Sequence, residues 1–219
     1  MADITIIPPL RRPFLRGWIH AAAAIASVAI TAIFVVQARG QAMRLSLLVF
    51  GLTMVILFSV SAVYHILDWE PPMRSRLRAL DHANIFLLIA GTYTAVCVNM
   101  LTGRLRINVL LAVWIAGIVG VLTSCIRIPR ARVVTAILYV AMGWIAIVLF
   151  PTMLRHLPPA AFAVFLSGGL FYTAGAIIYA AKWPNPFPRH FGYHEIFHLL
   201  TVAGCGSFVA VIWLWVIRL

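Results

Sequence analysis

The sequence predicts an all-α integral membrane protein, built as a bundle of seven transmembrane helices. Of its 219 residues, 63% are hydrophobic and only 10% are charged. A soluble domain carries about 25% charged residues, so this chain cannot cover itself with a hydrated surface. The apolar residues also recur in runs of about 20, which is the length that a helix needs to cross a bilayer.

Short polar or proline-containing connections separate the seven apolar runs. Residues 1–13 are predicted to form a short cytoplasmic N-terminal segment, and residues 14–219 a single membrane domain. The predicted spans are, in chain order, residues 14–36, 43–67, 82–101, 107–126, 133–150, 160–181 and 192–216. Because the connections are short, we expect sequential helices to pack as neighbours in one bundle.

Prolines mark two of the predicted helix ends. The longest polar connection, residues 68–80, contains Pro71 and Pro72, and Pro151 closes the fifth span. Proline lacks the amide hydrogen that a helix interior needs, and it disfavours helix in the residue before it. We therefore expect the third helix to begin only near residue 82.

The distribution of Lys and Arg predicts the orientation of the bundle. Of these 17 residues, eleven lie on the side of the N-terminus and six on the other side. Since cytoplasmic loops carry the excess of positive charge, we expect the N-terminus in the cytoplasm and the C-terminus outside. The chain is thus predicted to be a multi-pass protein of the inner (plasma) membrane.

The formal charge of +12 does not indicate nucleic-acid binding. The basic residues form small clusters between apolar runs rather than a continuous basic stripe. At such positions they contact the anionic headgroups of membrane lipids, which are the expected partners. The sequence leaves the oligomeric state open.

Ionisable residues on three predicted spans fall at one depth. His194 and His198, four residues apart at the start of the seventh span, share a helix face. His65 lies at the cytoplasmic end of the second span, and Asp81 opens the third from the same side. Three histidines with one open position are the ligand set of a catalytic zinc ion, which lowers the pKa of its water to about 7. We predict Zn²⁺ bound by the histidines, Asp81 as proton acceptor, and Ser61, one turn before His65, as an orienting group.

Other interpretations of these residues remain open. His194 and His198 could face headgroups or bond backbone carbonyls, or Glu195 between them could be the general base of a zincin or an intramembrane protease. No further ligand follows His198, and Glu195 lies about 100° around the helix from His194, where it could face the cytoplasm. Asp81 could instead cap a helix N-terminus. Ser61 could bond a carbonyl one turn back.

The remaining histidines and the cysteines are assigned no chemistry. His20 is predicted to be packed or headgroup-facing, and His82, His156 and His190 to be loop or interface residues. The three cysteines lack metal-ligand spacing, and their odd number in or beside apolar runs gives no disulfide framework; they are Cys97, Cys125 and Cys205.

These motifs resemble those of the hemolysin III family, the bacterial branch of the progestin and adipoQ receptor superfamily. The matching segments are Ser61-x-x-x-His65, residues 80–86 with 89–94, and residues 194–198. The resemblance covers nearly the whole chain and implies a seven-helix fold with a cytoplasmic-facing zinc site. It places the ligands at His65, His194 and His198, with Ser61 and Asp81 at the other polar positions of the site. Many members have proline at the position of Ala95, a difference that affects a helix kink and not the ligands.

The resemblance implies more than one function. Relatives in the superfamily, and the similar alkaline ceramidases, favour zinc-dependent hydrolysis of lipid amides or esters, with a substrate that enters from the membrane. The links of bacterial members to membrane-energy homeostasis and to haemolysis favour a non-enzymatic, receptor-like protein with structural zinc, or a haemolysis-associated protein. A secreted pore former is the least consistent interpretation, because it must first be soluble and this chain is too apolar.

Overall fold

The computed structural model describes residue 13 and residues 15–126 and 132–218, and these fold into helices. The predicted N-terminal segment, residues 1–13, lies outside the described residues except for Pro13. The α-helices are α1 Trp18–Gln37, α2 Gln41–Ile66, α3 Pro71–Met100, α4 Gly103–Cys125, α5 Arg132–Trp144, α6 Phe150–His156, α7 Pro159–Ala181 and α8 Tyr193–Leu214. Short 3₁₀ turns follow α5 and α8 at Ile145–Leu149 and Val216–Arg218.

Seven segments in the described part of the chain are long and apolar enough to cross a membrane. Five of them are the single helices α1, α2, α3, α4 and α7. The fifth span, Arg132–His156, joins α5 to α6 through a 3₁₀ turn, and the seventh, Tyr193–Arg218, joins α8 to the last 3₁₀ turn. The predicted seven-span, all-α fold is therefore confirmed.

Helix α3 occupies the centre of the bundle and is its most buried span. It packs against α2 and α4 along the chain, and also against α5 and α8. Helices α1 and α2 form a close pair, α7 and α8 form another, and contact between α1 and α8 joins the first span to the last. Within the described residues α5 packs mainly on α7, whereas its contact with the preceding helix is limited to side chains such as Met142, which reaches Gly117 of α4.

The prediction that Pro71 and Pro72 belong to a long loop is wrong. They are the first residues of α3, and the connection from α2 is only residues 67–70. The amide groups in the first turn of a helix have no acceptor within the helix. A proline there loses no hydrogen bond, and its fixed φ suits the helix. As a result α3 is 30 residues long, about 45 Å, and extends beyond the hydrocarbon core of about 30 Å.

Pro151 likewise begins a helix rather than closing the fifth span. It occupies the first turn of α6, directly after the 3₁₀ turn that interrupts the span. The span therefore continues past residue 150 to His156. The tighter turn and the proline together allow the backbone to restart a helix without an unpaired interior amide.

One end of the bundle collects the polar residues that the sequence singled out. Because spans alternate in direction, α1, α3 and α8 begin at the same end at which α2 finishes. We call this the histidine end, since it holds His20, His65, His194 and His198. Asp81 also lies there, but in the third turn of α3, so the interpretation of this residue as an N-cap is wrong.

Candidate metal centre

The last turns of α2 present Ser61 and His65 on one helix face. Both side chains are buried, and their spacing of four residues places one above the other. The start of α1 approaches this turn closely at Gly17, where an added Cβ would lie 3.0 Å from the His65 Cβ and 2.7 Å from Ile66 Cγ1. Gly17 also has φ +89°, a backbone conformation that glycine adopts without steric cost.

The first turns of α8 present His194 and His198. Gly192 is the N-cap residue of this helix, and its amide donates to Glu195 Oε2 at 2.9 Å. This hydrogen bond satisfies one of the amides that a helix N-terminus leaves without an internal partner. His198 is buried and His194 is partly exposed, so the pair runs from the rim of the bundle into its interior.

The structure brings the three predicted ligands together. One ring nitrogen from each of His65, His194 and His198 lies within 4.8 Å of the others. The Nε2 atoms of His65 and His194 are 3.2 Å apart. The ring centroid of His198 lies 5.0 Å from that of His65 and 4.6 Å from that of His194. These three histidines could therefore hold one metal ion.

The two residues predicted to take part in chemistry lie beside this group. Asp81 Oδ2 is 3.6 Å from Nε2 of His65, the nitrogen that also faces His194. Ser61 and Asp81 line one small cavity. Helix α3 thus contributes a carboxylate, and α2 a hydroxyl, to the site that α2 and α8 form with their imidazoles.

His20 belongs to the same cluster, although the sequence interpretation gave it no part in the site. It is only 3% exposed, so it is packed rather than headgroup-facing. Its ring stacks on His198 with centroids 3.8 Å apart and planes 7° from parallel, and it makes an edge contact with the Phe58 ring at 5.1 Å. The sequence contained one signal for this role: His20 lies in the first turn of α1, at the same depth in the membrane as His198.

Glu195 does not face the cytoplasm as the sequence interpretation allowed. Its side chain is 0% exposed, and Oε1 accepts a hydrogen bond from Arg16 Nε at 2.7 Å. Both carboxylate oxygens are therefore engaged, one by Arg16 and the other by the Gly192 amide. The ion pair connects the residues before α1 to the first turn of α8.

Of the two alternatives predicted for His82, a loop or an interface residue, the loop is wrong. His82 lies in α3 directly after Asp81, and its Nε2 is 3.1 Å from the hydroxyl of Tyr179 on α7. Arg132, the first residue of α5, lies over the Tyr179 ring at 4.7 Å and donates to the Tyr193 hydroxyl at 3.2 Å. These contacts between distant helices leave no signal in residue spacing.

Three cavities lie next to one another around the histidine group. A small cavity of about 30 Å³ touches Ser61, Asp81 and the histidines His20, His194 and His198. It shares residues such as Ile85 and Phe197 with an apolar cavity of about 100 Å³ inside the bundle. On the other side it shares Asp81 and His194 with a polar cavity that opens at the histidine end.

A family model and individual relatives both match this chain and indicate the same family. A family model described as "Haemolysin-III related" matches residues 9–209. Hemolysin-3 of Bacillus cereus is 31% identical over 189 residues, which cover 84% of this chain and 83% of that protein. The Hemolysin-3 homolog of Bacillus subtilis (strain 168) is 29% identical over 162 residues, covering 74% and 73%. The monocyte to macrophage differentiation factor of Homo sapiens is 24% identical over 182 residues, covering 78% and 70%.

Proposed function

Because this chain belongs to the haemolysin-III-related family, we propose that it is a zinc-dependent membrane hydrolase of lipid amides or esters. The observation that carries the proposal is the convergence of three imidazoles from α2 and α8, with a carboxylate and a small cavity beside them. The proposal places the protein in the inner membrane with the histidine end in the cytoplasm. The excess of Lys and Arg on that side supports this orientation.

The donor set fits zinc. Imidazole nitrogen is a common zinc ligand, and three protein ligands that leave one position open are typical of a catalytic site. His65, His194 and His198 would hold the ion. When bound, zinc supplies Lewis acidity that makes water a usable nucleophile near neutral pH.

The surrounding residues supply proton transfer. The cavity of about 30 Å³ is large enough for one water molecule and touches both Ser61 and Asp81. Asp81 would accept a proton from that water and return it to the leaving amine or alcohol. Ser61 lines the same cavity, where its hydroxyl would hydrogen-bond the water or orient the substrate. Glu195 has no part in this step, because both its oxygens are already occupied.

The apolar cavity supports a lipid substrate. It is lined by aliphatic and aromatic side chains of α3, α5, α7 and α8, and it adjoins the small cavity at the histidine group. An acyl chain in the apolar cavity would place its carbonyl end at the site. Exclusion of bulk water there strengthens the electrostatic interactions on which hydrolysis depends.

A second candidate function is a structural role for zinc in a non-enzymatic, receptor-like or haemolysis-associated protein. The observation that favours it is that α2 and α8 are not among the helix pairs that pack closely, although the histidine group spans them. Zinc would then connect two spans that have little other contact. Its removal would lower the thermal stability of the protein, with no chemistry to lose.

A hydrolysis assay separates the two functions. Purified full-length protein is incubated with a panel of lipid amides and esters, and released fatty acid is measured beside bound zinc. We expect wild-type protein to release fatty acid and Asp81→Asn to keep its zinc but lose turnover by about a hundredfold or more. Zinc-loaded wild-type protein that hydrolyses none of the lipids would leave only the structural role.

A further inference from the structure

A cavity of about 570 Å³ opens at the histidine end, and we call it the cationic vestibule. Four arginines line it: Arg16 before α1, Arg74 and Arg78 on α3, and Arg132 at the start of α5. Its inner wall includes His65, Asp81 and His194. The vestibule therefore connects the surface of the bundle directly to the proposed metal centre.

Charge in the vestibule is strongly unbalanced. Among the described residues that line it, Asp81 is the one carboxylate, against four guanidinium groups. Within the described residues, the structure shows no ion pair for Arg74, Arg78 or Arg132, and Arg16 uses its Nε for Glu195. A guanidinium presents five N–H donors in a fork that matches phosphate and carboxylate oxygens. The vestibule thus has the charge and the donors to bind an anion.

Arg132 is held in place rather than left mobile at the surface. Its guanidinium lies over the ring of Tyr179 and donates to the hydroxyl of Tyr193. The Tyr179 hydroxyl in turn contacts His82 Nε2. The orientation of a membrane protein requires positive charge near one face, but it does not require an arginine fixed between two tyrosines at the wall of a cavity. Such preorganisation reduces the entropic cost of binding a ligand.

The order of the cavities indicates the shape of this ligand. The vestibule, the small cavity at the histidine group and the apolar cavity share residues in that sequence. A molecule that spans them would have an anionic group among the arginines, its reacting carbonyl at the metal centre, and an apolar chain inside the bundle. A neutral lipid amide would leave the arginines without a partner.

We propose that the cationic vestibule is a subsite for a phosphate-type anion, and that the substrate of the proposed hydrolysis is therefore an anionic lipid. The statement about substrate rests on the proposed function, whereas binding of the anion does not. The phosphate could come from a lipid headgroup or from a soluble molecule. The two sources are distinguished by separate arms of one experiment.

Binding is measured on the full chain in lipid discs. In the first arm, inorganic phosphate is titrated into protein in phosphatidylcholine discs. In the second, native mass spectrometry compares the lipids retained from phosphatidylcholine alone and from its mixture with phosphatidylglycerol. We expect saturable phosphate binding and preferential retention of phosphatidylglycerol. Phosphate binding without lipid preference would assign the subsite to a soluble anion and overturn the lipid part of the proposal.

Variants test whether the arginines are responsible for phosphate binding. Arg132→Gln and Arg78→Gln are expected to weaken phosphate binding about tenfold each, the loss typical of a charge-assisted hydrogen bond. Arg104→Gln is the matched control, because Arg104 lies in the first turn of α4, at the opposite end of the bundle. Melting temperature and zinc content of each variant verify that it is folded. Arg132→Gln and Arg78→Gln proteins that are folded and bind phosphate as tightly as wild type would overturn the proposal.

A His198→Ala variant separates the vestibule from the metal, since phosphate can also bind zinc. His198 does not line the vestibule, so its loss removes a metal ligand and leaves the arginines unchanged. We expect this variant to retain phosphate binding that still depends on Arg132. Binding that disappears with the metal and is insensitive to Arg132→Gln would refute the subsite. If anions bind but no lipid is hydrolysed, the proposed function fails while the subsite stands.

Discussion

The carboxylate of Glu195 is buried and fully engaged, with Oε1 bonded to Arg16 and Oε2 to the amide of Gly192. A general base in an HExxH site would need an oxygen that faces the attacking water. Here the carboxylate orients the first turn of α8 instead. It thereby sets the direction from which His194 and His198 enter the site.

The Glu195–Arg16 pair gives the first prediction. Glu195→Gln removes the charge that Arg16 pairs with, and we expect a loss of about 2 kcal/mol in unfolding free energy, since Arg16 remains partly solvated. Thermal unfolding in detergent measures the effect. Adding Arg16→Gln to Glu195→Gln should cost little more, because one interaction is lost in both variants. A stable Glu195→Gln protein that binds zinc but is inactive would instead identify Glu195 as the general base.

The convergence of His65, His194 and His198 could be predicted because their chemistry and spacing are local. Residues four apart on a helix share a face, so His194 lies next to His198 and Ser61 next to His65 however the helices pack. His20, Arg132 and Tyr179 could not be assigned in this way. Their roles depend on which helices are neighbours, and α1 meets α8, and α5 meets α7, only in the folded bundle.

At the scale of the helices, small residues determine how closely neighbouring spans approach. Helices α7 and α8 meet where Gly168 faces Gly204, and a Cβ at Gly204 would lie 2.7 Å from the Tyr172 ring and 3.1 Å from the Gly168 carbonyl oxygen. Gly206, two residues along α8, has nothing within 4 Å of such an atom. Close approach of this kind stabilises helix pairs in membranes through van der Waals contact.

A pair of alanine substitutions tests this packing. Gly204→Ala should lower the unfolding free energy by about 1–3 kcal/mol, because α7 and α8 must separate to admit the methyl group. Gly206→Ala is the matched control and should be neutral or slightly stabilising, since alanine favours helix over glycine. Thermal unfolding of the two variants under the same conditions gives the comparison. Equal midpoints would show that α7 and α8 do not depend on the contact at Gly204.

The start of α1 provides a second test at this scale. Gly17→Ala should destabilise the protein through both its positive φ and its contact with Ile66, together about 2 kcal/mol. Gly103 also has a positive φ, +60°, but nothing lies within 4 Å of a Cβ there. Gly103→Ala therefore measures the effect of a positive φ without the steric contact and should cost less. If thermal unfolding gives equal losses for the two, α1 does not press on the His65 turn.

The helix boundaries show what the sequence could not determine. Hydrophobic runs located all seven spans because each must cross the bilayer. A proline indicates a helix boundary, but it can either end the preceding helix or begin the next one. Pro71 and Pro151 were interpreted as ends, yet both begin helices. The hydrophobic pattern also could not detect that α3 continues beyond the bilayer, because its first turns are polar and carry the arginines of the vestibule.

For the molecule as a whole, the proposed orientation places the histidine end and the vestibule in the cytoplasm. Cys125 provides a native probe, because it is exposed at the histidine end of α4 whereas Cys97 and Cys205 are buried. A membrane-impermeant maleimide should label Cys125 in inverted vesicles and not in intact cells. The matched control is Arg104→Cys in a Cys125→Ser background, which should show the reverse pattern. Labelling of Cys125 from outside would show that the bundle has the opposite orientation.

The central claim is that α2 and α8 hold one zinc ion through His65, His194 and His198. The most direct test is the metal content of the purified full-length protein, measured for wild type and for alanine variants of these histidines. We expect about one zinc per wild-type chain, and loss of zinc from each folded variant. His156→Ala, exposed at the opposite end of the bundle, should retain the metal. Folded His65→Ala, His194→Ala and His198→Ala proteins with wild-type zinc content, or a wild-type protein that binds no metal, would contradict the account.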